Sequence, residues 1–182
     1  MKPMSLGRAT ARRFMLVSLV FLVLGVLEGL MHPTKFALQD FYSLILGLEP
    51  QHIKPFFAYF VSKIHTHVSL VGWVTTALMG VFYFLAEEIR GGHRYRPWLC
   101  GGNLALQVAG ILALAIGFHL IGLLAIPTGH PAGSPEFRAA ADSVKPLVVV
   151  GGVLLLLSCL SFVYGIGATL LARESKLIPN DS

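Results

Sequence analysis

Residues 64–86 read IHTHVSLVGWVTTALMGVFYFLA, a run without one Lys, Arg, Asp or Glu. A helix that crosses a bilayer needs about 20 predominantly apolar residues, and this run supplies them. Three further stretches qualify: Phe14 to Met31, Leu99 to Ile126 and Leu147 to Ala172. With their flanks, the spans cover residues 14–31, 60–87, 98–126 and 146–172, joined on one side by loops 33–59 and 127–145. The sequence therefore predicts an all-α integral membrane protein, a four-transmembrane-helix bundle forming one membrane domain over 1–182.

The composition excludes a soluble protein. Of 182 residues, 55% are hydrophobic and only 13% charged, against roughly 25% charged in an ordinary soluble domain. Mean hydropathy is +0.73. The excess of 14 Lys and Arg over 9 Asp and Glu is spread along segments that flank the spans. It builds no patch interleaved with stacking aromatics, so nucleic acid is excluded as a partner and the lipid bilayer is the expected one.

Lys and Arg also orient the chain. Lys2, Arg8, Arg12, Arg13, Arg90, Arg94, Arg96, Arg173 and Lys176 fall on one side, and Lys35, Lys54, Lys63, Arg138 and Lys145 on the other, over longer loops. Both termini are expected in the cytoplasm, in a bacterial-type inner (cytoplasmic) membrane crossed several times. Arg8, Arg12 and Arg13 give the first span the charge of a signal peptide. The span is too long for one, and Gly29-Leu30-Met31-His32-Pro33 offers no small-x-small cleavage site, so it is read as a retained helix.

The turn from Arg90 to Pro97 is short, making the second and third spans antiparallel neighbours, and Pro97 suits a first helical position. Phe41 to Leu46 and Phe56 to Phe60 are expected at the membrane interface, where aromatic rings are favoured. The second outer loop, with Pro127, Gly129, Pro131, Gly133 and Pro135, reads as irregular. Cys100 and Cys159 lie at different depths and are not expected to pair.

Six of the seven histidines fall in the outer half or on the outer surface. His65 and His67 open the second span, and His119 lies roughly 10 Å inside the outer end of the third at 1.5 Å rise per residue. Antiparallel packing brings these three to similar depth. His32 ends the first span, His52 and His130 lie in outer loops, and His93 is cytoplasmic. Ionisable side chains inside a membrane are costly and mark function by default, and imidazole is the commonest metal ligand. A lone histidine is more often an interhelical polar clasp. An H-x-H with a third histidine at matched depth favours a bound metal or haem.

Residues two apart differ by about 200° around a helix, so His65 and His67 should look into different clefts. From His65 runs a stripe of small residues, Ser69, Gly72, Thr76 and Gly80, which suits a neighbouring helix or a flat porphyrin. From His67 runs an apolar wall. Glu28, within Gly25-x-x-x-Gly29 and one turn before His32, could orient a ligand histidine, carry protons, or pair with His32 or Lys35. Asn103 and Gln107 read as interhelical hydrogen-bonding residues. Gly91-Gly92 is too slight for a phosphate loop, and no serine, cysteine or paired-carboxylate hydrolytic centre stands out.

The run from His65 to Tyr83 resembles the haem-binding helices of the haem-copper oxidase catalytic subunit (subunit I) and of its nitric oxide reductase relatives. His65-Thr66 matches the His-Thr-Asn of that family's second helix. The H-x-H of its tenth helix is followed by A-x-M-G, and Ala77, Met79 and Gly80 stand at the same offsets here. The tenth-helix match would make His65 the high-spin and His67 the low-spin haem ligand; the second-helix match would make His65 the low-spin one.

The chain would then be a short four-helix stand-alone relative of a twelve-helix subunit. The copper-ligand motifs H-x-x-x-Y and His-His have no counterpart, so one chain holds no complete haem-copper centre, and enzyme activity is left open. The family ring consists of three four-helix arcs, which a homotrimer of this chain could rebuild. In the competing arrangement one protomer holds a bis-histidine haem, using His65 or His67 with His119.

The resemblance implies b-type haem near the outer face, ligated by His65, His67 and His119, with His32 as a further metal ligand and Glu28 supporting. Electron transfer or binding of O2 or NO would follow, supplied by a redox partner protein or quinol. No C-x-x-C-H occurs, so covalent haem is not expected. Two alternatives stand beside this reading. One is copper or zinc handling by the outer-face histidines, including His52 and His130; the other is a haem-free assembly or accessory subunit.

Overall fold

The computed structural model describes residues 4–90, 95–131 and 133–171. His93 and Gly91-Gly92 lie outside the described residues, as do Lys2, Arg94, Ala172, Arg173 and Lys176. The described residues are largely helical, with no strand among them. Four helices are long and apolar enough to cross a membrane: α1 (Leu6–Thr34), α3 (Pro50–Arg90), α4 (Pro97–Thr128) and α6 (Lys145–Leu171). Two short helices, α2 (Gln39–Leu46) and α5 (Pro135–Asp142), occupy the long connections.

Prolines set several of the starts. Pro50, Pro97 and Pro135 each stand in the first turn of their helix, where no backbone N–H is needed. The expected outer loop 33–59 is thus largely helical, and α3 runs 41 residues without a break. The loop 127–145 is also more regular than expected. Gly129 takes φ +70° to turn the chain at the end of α4, and Ser134 caps α5 by accepting from the Phe137 N–H at 3.1 Å.

The second aromatic cluster is largely enclosed by the protein. Phe56, Phe57 and Phe60 are buried among the helices, Phe56 against α4, while Tyr59 stays exposed. Phe57 lies 5.1 Å from Tyr42, and Phe60 stacks on Phe137 at 6.4 Å. In the first cluster Phe41, Leu44 and Ile45 are exposed.

Helix α1 packs along α3, and α6 along α4, while α3 meets α4 and, through Thr76–Arg90, α6. Between apolar helices close approach rests on small residues. A methyl group on Gly110 would stand 2.8 Å from Leu155 Cγ and 3.0 Å from the Gly151 carbonyl oxygen. One on Gly151 would stand 2.9 Å from the Gly110 oxygen, so α4 and α6 touch backbone to backbone. At the end bearing the termini, Arg8 reaches Glu88 at 2.7 Å.

Gly110→Leu should lower stability by about 1–3 kcal/mol through overpacking, read by unfolding in detergent. Gly101→Leu is the control, since nothing lies within 4 Å of a Cβ there. Helix α5 supplies a pH prediction. The Glu136 backbone N–H, and after it the Ser134 hydroxyl and nearby His130, hold the Glu136 carboxyl below its ordinary range. Its contribution is therefore present above the ordinary carboxylate range and lost as pH falls through the lowered value. Hydrogen exchange of α5 should quicken over that acid window in the natural chain and not in Glu136→Gln.

Candidate functional site

Helix α3 places His65 and His67 toward the end that carries α2 and α5. The small-residue stripe is occupied by α1. Gly72 meets the Phe21 ring, with 2.9 Å from its Cβ position to Cγ, and Gly80 meets Phe14 at 3.0 Å. Opposite His65, α1 offers its own glycines. A Cβ on Gly29 would lie 2.9 Å from His65 Cε1, and His65 Nδ1 bonds the Gly25 carbonyl oxygen at 2.9 Å.

His67 turns to α4, its ring 5.5 Å from that of Phe118, and its Nδ1 bonds the Lys63 carbonyl at 2.7 Å. His119 Nδ1 bonds the Ala115 carbonyl at 2.9 Å, with its ring 6.3 Å from Phe56. Phe118, next to His119 in sequence, is thus the α4 ring that faces His67. Among the described residues no three His, Cys, Asp or Glu side chains gather into one coordination group.

A carbonyl oxygen only accepts, so each of these three Nδ1 atoms must carry the proton. In the neutral ring Nε2 is then bare, the form in which a histidine binds a metal, and a carbonyl partner on the other nitrogen fixes its tautomer. His32 has the opposite tautomer. Its Nδ1 receives a hydrogen bond from Lys35 Nζ at 3.2 Å, which leaves the proton on Nε2.

Glu28 Oε2 is buried and has no hydrogen-bond partner, and neither ion pair among the described residues includes Glu28. The expected pairing with Lys35 is not formed; Lys35 goes to His32. His52 and His130 line one cavity of about 440 Å³ with Tyr59 and Phe137, away from His32. Cys100 is buried, Cys159 exposed, and both are free thiols.

The winding of α3 is unusual at this motif. Over Phe57–Val61 and again over His67–Thr75 the helix is wide, closing on the residue five back. Thr75 Oγ1 donates to Leu70 O at 2.8 Å and Thr76 Oγ1 to Val71 O at 3.3 Å. Thr34, Thr66 and Thr169 instead bond carbonyls four residues back. From α4, Gln107 Nε2 donates to Val71 O at 3.0 Å and to Thr76 Oγ1 at 3.2 Å. Ser158 of α6 bonds Asn103 Oδ1 at 2.6 Å and Gln107 Oε1 at 3.0 Å, and Asn103 Nδ2 donates to Tyr83 OH at 2.9 Å. Asn103 and Gln107 thus make the interhelical bonds expected of them. Neither the wide winding nor Phe118 was legible in the sequence, since nothing in composition marks a helix that winds five residues back.

Over 121 residues the chain is 32% identical to cytochrome c oxidase subunit 1 of Thermus thermophilus, covering 62% of this chain. The chain spans only 20% of the length of that relative. No family model and no solved structure matches it. The similarity, with four membrane-capable helices, supports a multi-pass membrane protein distantly related to oxidase subunit 1.

The tautomers can be read directly. In histidine-labelled protein free of metal, 15N spectra should show bare Nε2 for His65, His67 and His119, and bare Nδ1 for His32.

Proposed function

We propose that the chain is a short, oxidase-subunit-I-like membrane haem protein that holds b-type haem in the outer half of a bacterial inner membrane. Its role is electron transfer or the binding of a small gas such as O2 or NO. The carrying observation is the shared bonding of His65, His67 and His119, each with Nδ1 on a carbonyl oxygen, an arrangement that leaves Nε2 free for a metal. Similarity to a cytochrome c oxidase subunit supports the same reading.

The donor set fits haem iron. His65 and His67 are the ligands of this proposal, with His119 as the third. Bound there, haem would supply a redox-active iron, tuned by its axial ligands and apolar surroundings. The Gly25 carbonyl would fix the His65 ring and raise its basicity. Glu28, half-buried with its Oε2 enclosed and unpartnered, is the carboxyl available to hold a proton on the facing stretch of α1. Electrons would come from a redox partner protein or quinol. The homotrimer belongs to the same proposal, with copies meeting through exposed apolar faces such as Leu19, Val23 and Leu27 of α1 and Val153, Leu156 and Leu160 of α6.

Reduced-minus-oxidised spectra and a pyridine haemochrome assay on protein in mild detergent test the reading. A b-type signal should be present and should fall or change form in His65→Ala and His67→Ala. Loss of a low-spin signal in His119→Ala would place both ligands in one protomer, and a haem-loaded monomer by mass would remove the trimer. Absence of haem after haem-replete expression overturns the proposal.

A further inference from the structure

We propose that Gln107 of α4 is a positioning residue, holding open the wide winding of α3 and so setting where His65 and His67 face. The inference gains its purpose from the haem reading, but its geometry stands without haem. His67 is the first residue of the wide segment His67–Thr75, and His65 lies just outside it. Every residue beyond that segment is therefore turned by the amount of extra winding. Closing one wide turn to ordinary α geometry would rotate the outer part of α3 by the angle of one residue, roughly 100°. His65 would leave the Gly25 carbonyl, and His67 would leave the Phe118 ring.

A side chain that bonds a carbonyl of the wide segment from another helix favours that winding over any in which the carbonyl moves away, because a lost donor is costly inside a membrane. The Val71 oxygen is served from the side. Gln107 Nε2 reaches it at 3.0 Å and Thr76 Oγ1 at 3.3 Å. Gln107 is itself fully buried, and its other end meets Ser158, whose one hydroxyl proton is shared between Gln107 Oε1 at 3.0 Å and Asn103 Oδ1 at 2.6 Å. The side chain is therefore braced against α6 and cannot follow α3 if the helix rewinds. Glutamine suits the task because its two Nε2 hydrogens serve Val71 O and Thr76 Oγ1 together while Oε1 takes the brace.

Two carbonyls report the device, and sequence-neighbour labelling isolates both. With [1-13C]valine and [15N]glycine, only Val71-Gly72 and Val150-Gly151 form labelled peptide bonds. With [1-13C]glycine and [15N]valine, the bonds are Gly25-Val26, Gly80-Val81 and Gly152-Val153. In Gln107→Leu the Val71 carbonyl signal should move upfield as it loses its donor. The Gly25 signal should move too, as His65 turns away. Val150 should stay, which shows the fold intact. If Gln107→Leu does not fold, Gln107→Asn should give the same pair of shifts, its amide being too short to reach Val71.

An unmoved Val71 signal overturns the contact. A moved Val71 with an unmoved Gly25 overturns the positioning role. Both readouts use haem-free protein, so a chain that binds no haem would defeat the functional reading and leave this one decided on its own terms.

Discussion

Inside a bilayer every backbone carbonyl has to find a donor within the protein, and the Val71 carbonyl finds one on another helix. It lies in the segment where α3 closes on the residue five back, and its oxygen is met from the side by Gln107 of α4 and by Thr76 of α3 itself. Meeting it draws in the rest of the polar interior. Gln107 is braced by Ser158 of α6, Ser158 also bonds Asn103, and Asn103 bonds the Tyr83 hydroxyl back on α3. Three helices are thereby registered against one another by side chains with no exposure to solvent. Apolar faces alone slide easily, since lipid tails are as apolar as leucine.

On the opposite side of α3 the register is set by volume. Gly25 and Gly29 make the trough into which His65 fits, while Phe14 and Phe21 fill the spaces left by Gly80 and Gly72. The stripe of small residues and the histidine at its end thus belong to one packing arrangement with α1. That arrangement also decides the chemistry of the ring: an inward Nδ1 facing a carbonyl forces the proton there and leaves Nε2 bare. His67 and His119 reach the same protonation through carbonyls of their own helices, so all three share one ligand-competent form although they do not meet at one point.

The four spans were legible because length and apolarity are properties of the chain itself, read without knowledge of any neighbour. The same holds for Pro97 at the start of α4, and for the polar role of Asn103 and Gln107, which have nothing else to bond at that depth, whereas Pro50 and Pro135 open helices in stretches that read as loop. Loop structure was less legible. Phe56, Phe57 and Phe60 read as loop aromatics, but α3 begins at Pro50 and continues unbroken, so they pack into the core. The sequence also left Glu28 an option of pairing with Lys35, which the structure gives to His32 at 3.2 Å.

Sequence by itself determined the all-helical membrane class and the number of membrane-capable helices, because hydropathy and helical length follow from residue order alone. Tertiary structure alone decided which ring nitrogen carries each proton and that Phe118, not His119, faces His67. It also decided that the helix bearing the pair is wound wide. Those outcomes turn on which carbonyl stands opposite each donor, a relation between helices far apart in the chain.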